Sequence, residues 1–94
     1  MDLSIDYAKT RALGNSIIEK GNDFSDILNK VNTENDNLKN YWQGTDASKY
    51  IDAVSGEIDS IRSLSKIIEE MGQYLIDAAN AYEKVNESNQ GGLN

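Results

Sequence analysis

Any chemistry in this chain has to come from oxygen and amine side chains, because it contains no His and no Cys. The usual general base near neutral pH is therefore missing, as are the commonest transition-metal ligand, thiolate nucleophiles and disulfides. Carboxylates remain: Asp52, Glu57 and Asp59, then Glu69 and Glu70, with Asn22-Asp23 and Asn35-Asp36-Asn37 as further oxygen-rich stretches. Paired carboxylates do acid–base work only across a cleft that fixes their separation. A divalent cation needs convergent oxygens, and no D-x-D-x-D-G loop occurs. These groups read as a solvated acidic face, and the two Asn-rich stretches read as helix surface. Ser and Lys are present without a pocket that would make either a nucleophile. The sequence therefore points to a non-enzymatic protein with no cofactor and no metal.

Charge and hydropathy narrow the partners. Sixteen Asp and Glu against nine Lys and Arg leave a net charge of −7 over 94 residues. Such a chain repels phosphate backbones, which argues against nucleic acid. No helix face is basic enough to bind anionic lipid. Apolar runs reach only two or three residues, so no membrane span is expected, and no signal-peptide core follows a basic start.

These residues sit on few, long elements. The chain has no Pro, and Pro is what usually punctuates loops and breaks helices. Asp6 suits an N-cap, with a first helix over about 7–40. Ile17, Phe24, Val31 and Leu38 repeat every seven residues along it, with Leu13 leading in and Ile27 and Leu28 widening the stripe. Gly14 and Gly21 hold small slots beside that stripe, where a neighbouring helix can come close. Asn32 to Asn40 is weaker, because Asn and Asp favour caps and turns over helix interiors. A loop is the alternative there, but the seven-residue spacing runs through it.

Tyr41-Trp42-Gln43-Gly44-Thr45 interrupts the pattern. Gly44 is expected to end the first helix in a left-handed conformation, and Thr45 or Asp46 to cap the next. The second helix is expected over about 46–87. Ala47, Val54, Ile61, Ile68, Leu75 and Tyr82 recur every seven residues. Ile51, Ile58, Ser65, Gly72, Ala79 and Asn86 follow four behind, a seam interrupted by polar residues and Gly. A second stripe runs alongside through Tyr50, Leu64, Ile67, Met71, Tyr74, Ala78, Ala81 and Val85. Tyr7, Tyr41, Tyr50 and Tyr74 read as rim packing with wet hydroxyls. Gly56 and Gly72 serve either close helix approach or local bending. The tail 88–94 reads as disordered.

The expected fold is all-α, one antiparallel two-helix hairpin. Its second helix carries more apolar surface than one neighbour can cover, and a chain this short without a disulfide or metal needs another source of core. Dimerisation into a four-helix bundle supplies it. The interface residues expected from the repeats are Ile17, Phe24, Val31, Leu38, Ile51, Val54, Ile58, Ile61, Ile68 and Leu75. The heptads leave homodimer and heterodimer open.

Trp42-Gln43-Gly44 is a W-x-G between two helices, near the middle of an acidic chain of about a hundred residues. Ala47, Tyr50, Ile51 and Val54 follow it. Together these features resemble the WXG family, the early-secreted-antigen-like bacterial proteins exported by type VII (ESX-type) secretion, over about Leu3 to Glu87. That family carries a second mark: Tyr, three residues, then Asp or Glu. Tyr82 matches it, but Asn86 stands at the acidic position and Glu87 comes one place late. The resemblance implies a helical hairpin paired into an antiparallel four-helix bundle, homodimeric or heterodimeric with a related hairpin protein. It implies that Trp42 and Gly44 lie near the partner's Tyr82 region, forming a surface read by the secretion ATPase. Export would then proceed folded, without a cleavable signal peptide, from the cytoplasm to a secreted or cell-surface location. The alternatives are a small helical chaperone that escorts a larger secreted toxin, and a cytoplasmic coiled-coil adaptor in which W-x-G is only a turn.

Overall fold

Asp6 starts the first helix. Its backbone is extended, and its carboxylate accepts a hydrogen bond from the Lys9 N–H at 3.0 Å, satisfying one donor that a helix start leaves open. The computed structural model describes residues 5–92, with side chains through Glu87. Helix α1 spans Tyr7–Asn37 and tightens into a 3-10 turn over Leu38–Asn40, and helix α2 spans Thr45–Gly92. The two pack antiparallel as an extended hairpin measuring 76 × 20 × 16 Å. Residues 88–92, read from sequence as part of a disordered tail, continue α2; no Pro interrupts its hydrogen-bond ladder before Gly91-Gly92. Residues 93–94 lie outside the described residues.

The hairpin closes along its smallest side chains. Gly14, Gly21, Leu28 and Asn35 are the buried residues of α1. On α2, Ile51, Ile58, Ser65, Gly72 and Ala79 are buried at the same seven-residue interval. Gly14 meets Gly72, Gly21 meets Ser65, and Asn35 meets Ile51. Leu28 and Ile58 occupy the layer between the last two. Each seven-residue step down α1 is thus matched by a seven-residue step up α2. At the Gly14–Gly72 layer the backbones nearly touch: a Cβ on Gly72 would lie 2.5 Å from the Gly14 carbonyl oxygen, and one on Gly14 would lie 2.7 Å from that of Gly72.

Two polar residues in this seam are tied across it. The Ser65 hydroxyl donates to the Gly21 carbonyl at 2.9 Å, and Asn35 Nδ2 donates to the Ile51 carbonyl at 3.0 Å. Asn35, expected on the helix surface, is therefore a core residue. Its layer also explains why the Asn-rich stretch stays helical as far as Asn37: the tertiary bond outweighs a weak local preference. Among the described residues no buried side-chain polar atom lacks a partner.

Using the small residues for the seam sorts the rest into two faces. On one side Arg11 forks to Asn80 Oδ1 at 2.9 Å and to Glu83 at 2.7 Å, and Ser55 donates to Asn32 at 3.4 Å. The other side collects the large apolar residues. Gly72 is a close-approach glycine, whereas a Cβ on Gly56 would meet nothing within 4 Å.

These two glycines separate in a stability measurement. Gly72→Ala forces the backbones apart and should destabilise the hairpin by about 1–3 kcal/mol. Gly56→Ala should stabilise it by up to about 1 kcal/mol through helix propensity alone. Denaturant unfolding followed by circular dichroism reads both.

Candidate functional site

The corner forms because α1 unwinds before it stops. The Leu38 carbonyl accepts from the Tyr41 N–H at 2.9 Å and from the Trp42 N–H at 2.8 Å, ending the helix in a tightened last turn. Gly44 then adopts φ +119°, a conformation that side chains disfavour. Its carbonyl accepts from the Ser48 N–H at 3.1 Å, which is the first helical bond of α2. Gly44 therefore stands at the start of the second helix rather than at the end of the first, where the sequence had suggested it. Nothing lies within 4 Å of where its Cβ would be, so the backbone conformation alone calls for glycine. Asp46 occupies the first turn of α2, where the helix dipole favours an anion.

Trp42 rests on the beginning of α2. Its ring centroid lies 5.6 Å from that of Tyr50, with the planes tilted by 48°, a favourable aromatic arrangement. The indole remains 42% exposed, and Tyr41 beside it is 86% exposed. The corner thus displays two aromatic rings to solvent.

The apolar face begins at this corner. Ile17, Phe24, Leu38, Val54, Ile68 and Leu75 are half-buried along the margin of the seam, and Val31 and Ile61 are exposed. Ile51 and Ile58 lie inside the seam itself. Leu13 and Ile27 on α1, and Leu64, Ile67, Met71 and Tyr74 on α2, extend the same face outward, each about half exposed or more. Ile17, Ile67, Glu70, Met71, Tyr74 and Leu75 surround an open groove of about 420 Å³.

Tyr82, Asn86 and Glu87 are exposed on consecutive turns of α2. Tyr82 lies at the far end of the hairpin from the corner. Its carbonyl accepts from the Tyr7 hydroxyl at 3.5 Å, and the neighbouring Glu83 is held by Arg11. At 1.5 Å per residue, Tyr82 stands roughly 55 Å along α2 from the W-x-G corner. One chain thus holds its two motifs apart. Asn35, Ser65 and Arg11 were not singled out from sequence as structural ties. Asn35 continues the spacing of Gly14, Gly21 and Leu28, and that signal was available; nothing in the pattern marks Arg11.

Among the described residues no cluster of acidic side chains converges to hold a metal, and no helix is long and apolar enough to cross a membrane. The corner, the broad apolar face and the exposed tail define a helical-hairpin protein built for contact with other proteins. The family model described as proteins of 100 residues with WXG matches residues 2–87, and the chain belongs to this WXG100 family. It is a family of small, non-enzymatic helical proteins of the type VII secretion system, and its members generally pair with related helical proteins. No curated protein and no solved structure matches the chain.

Gly44→Ala should lower stability by about 1–3 kcal/mol through backbone strain alone. Helix content at low denaturant should be unchanged, and calorimetry together with circular dichroism checks both.

Proposed function

We propose that this protein is a type VII substrate exported folded and paired, acting as a secreted factor or as the co-exported partner of one. The observation that carries this reading is the one-sided distribution of bulky apolar side chains. Ile27, Leu64, Met71 and Tyr74 are each about half exposed or more, and all lie on one face. Soluble proteins rarely leave a strip of this kind uncovered, and a second hairpin laid against it completes a four-helix bundle.

Pairing also supplies what a single chain lacks. Trp42 and Gly44 lie at one end of the hairpin, and Tyr82, Asn86 and Glu87 at the other. A companion laid in the opposite sense brings its tail toward this corner. The two exposed aromatics of the corner and a tyrosine-bearing helix end then form one composite surface for the secretion ATPase. Asn86 accepts a hydrogen bond there without a charge, and Glu87 supplies the carboxylate one residue further on.

Trp42→Ala tests this reading. The indole rests on Tyr50 at the surface, so its loss should leave helix content and pairing largely intact. In a host with an intact type VII system, wild-type protein should appear in the culture supernatant, while the variant should accumulate in the cells with at least a tenfold lower exported fraction. Equal export of both proteins, or export of neither, would overturn the proposal.

A further inference from the structure

We infer that the companion on the apolar face is a second copy of this chain, laid antiparallel with its two-fold axis passing beside Ile27. This rests on the reading of the apolar face as a pairing surface and adds the identity and register of what covers it. The observation is the order of charges along the α1 edge of that face: Lys20, Asp23, Ile27, Lys30, Glu34. All five side chains are exposed, and none of the four charged ones takes part in an ion pair among the described residues.

This order is complementary to its own reverse. Lys20 and Glu34 stand seven residues to either side of Ile27, and Asp23 and Lys30 stand four before it and three after. Two copies of α1 crossing antiparallel at Ile27 therefore set Lys20 against the partner's Glu34 and Asp23 against the partner's Lys30, and each contact occurs twice by symmetry. A parallel arrangement would set Lys20 against the partner's Lys20 and Asp23 against the partner's Asp23, so like charges would meet. Charge order of this kind selects orientation and register where the apolar contact alone is permissive.

The apolar residues follow the same centre. Phe24 and Val31 lie three before and four after Ile27, and Ile17 and Leu38 lie ten before and eleven after. An antiparallel copy therefore layers Phe24 on the partner's Val31, and Ile17 on the partner's Leu38. Leu13 comes opposite Tyr41 of the partner subunit, which places an exposed aromatic corner beside the open groove lined by Ile17, Met71 and Tyr74. Much of the chain's negative excess, including Asp52, Asp59 and Glu87, lies outside this edge, so the copies do not meet through their most acidic surface.

The absence of Cys in the natural chain makes the test direct. Ile27→Cys, at a residue 56% exposed, should form a covalent dimer on oxidation or with a short bis-maleimide. Asn22→Cys, at the polar groove beside Glu69 and Gln73, should stay monomeric. Lys20→Glu and Glu34→Lys should each weaken self-association by roughly 5- to 30-fold. Mixing the two variants in equal amounts should restore wild-type affinity, because each then offers what the other lacks. Wild-type chains that self-associate without cross-linking at position 27 and without recovery on mixing would overturn this register while leaving the pairing face standing. A chain that stays monomeric by itself but binds a different hairpin protein through this face would overturn the second copy as companion. A chain that stays monomeric with every hairpin protein of its host would overturn both the register and the pairing face.

Discussion

The close approach of two backbones at Gly14 and Gly72 governs the rest of this structure. With no side chain on either residue, the carbonyl of one helix sits where a Cβ of the other would have to be. Helices that meet over small residues bury little hydrophobic area in their own seam. The large side chains one register further round are then left at the margin rather than inside. The hairpin satisfies its backbone and its buried polar groups, yet leaves Leu64, Ile67, Met71 and Tyr74 largely in water. In most helical pairs the bulky residues form the seam and small ones are incidental; here the arrangement is reversed.

This reversal links folding to partnership. Ser65 and Asn35 fix the register of the hairpin by donating to single carbonyls on the opposite helix. A slip of one heptad would leave each buried amide or hydroxyl without its acceptor, at a cost of about 1–3 kcal/mol apiece. The seam is therefore specific without being strongly hydrophobic, and the hydrophobic energy is held in reserve on the outer face. Such a hairpin is shaped before it pairs and gains most of its apolar burial when it does.

The corner and the tail fit the same logic. Gly44 turns the chain with a backbone conformation open to glycine, and Trp42 is braced on Tyr50 instead of being sunk in a core. At the other end, Arg11 bridges α1 to Asn80 and Glu83, which anchors the helix turn that carries Tyr82. Both motifs are held in place and exposed, separated by the length of the rod. A recognition surface that needs both ends can be assembled only between chains, so a secretion machine reading it would respond to paired protein.

Composition and periodicity by themselves determined the all-helical fold, the position of the corner and the cap at Asp6. They also determined that the chain has more apolar surface than one hairpin can bury. These are properties of local chemistry: seven-residue spacing, the absence of Pro, and a glycine beside a tryptophan. Which of the parallel stripes would close the hairpin was decided only in three dimensions. Hydrophobicity favoured the row of Val54, Ile61, Ile68 and Leu75, but the interrupted row through Ser65 and Gly72 is the one that is buried. Distance of approach depends on side-chain volume on both helices at once, and a pattern read along one helix does not contain it. The same limit hid Asn35, whose polar character suggests a surface until Ile51 is brought opposite, and it hid Arg11, whose partners lie about seventy residues away.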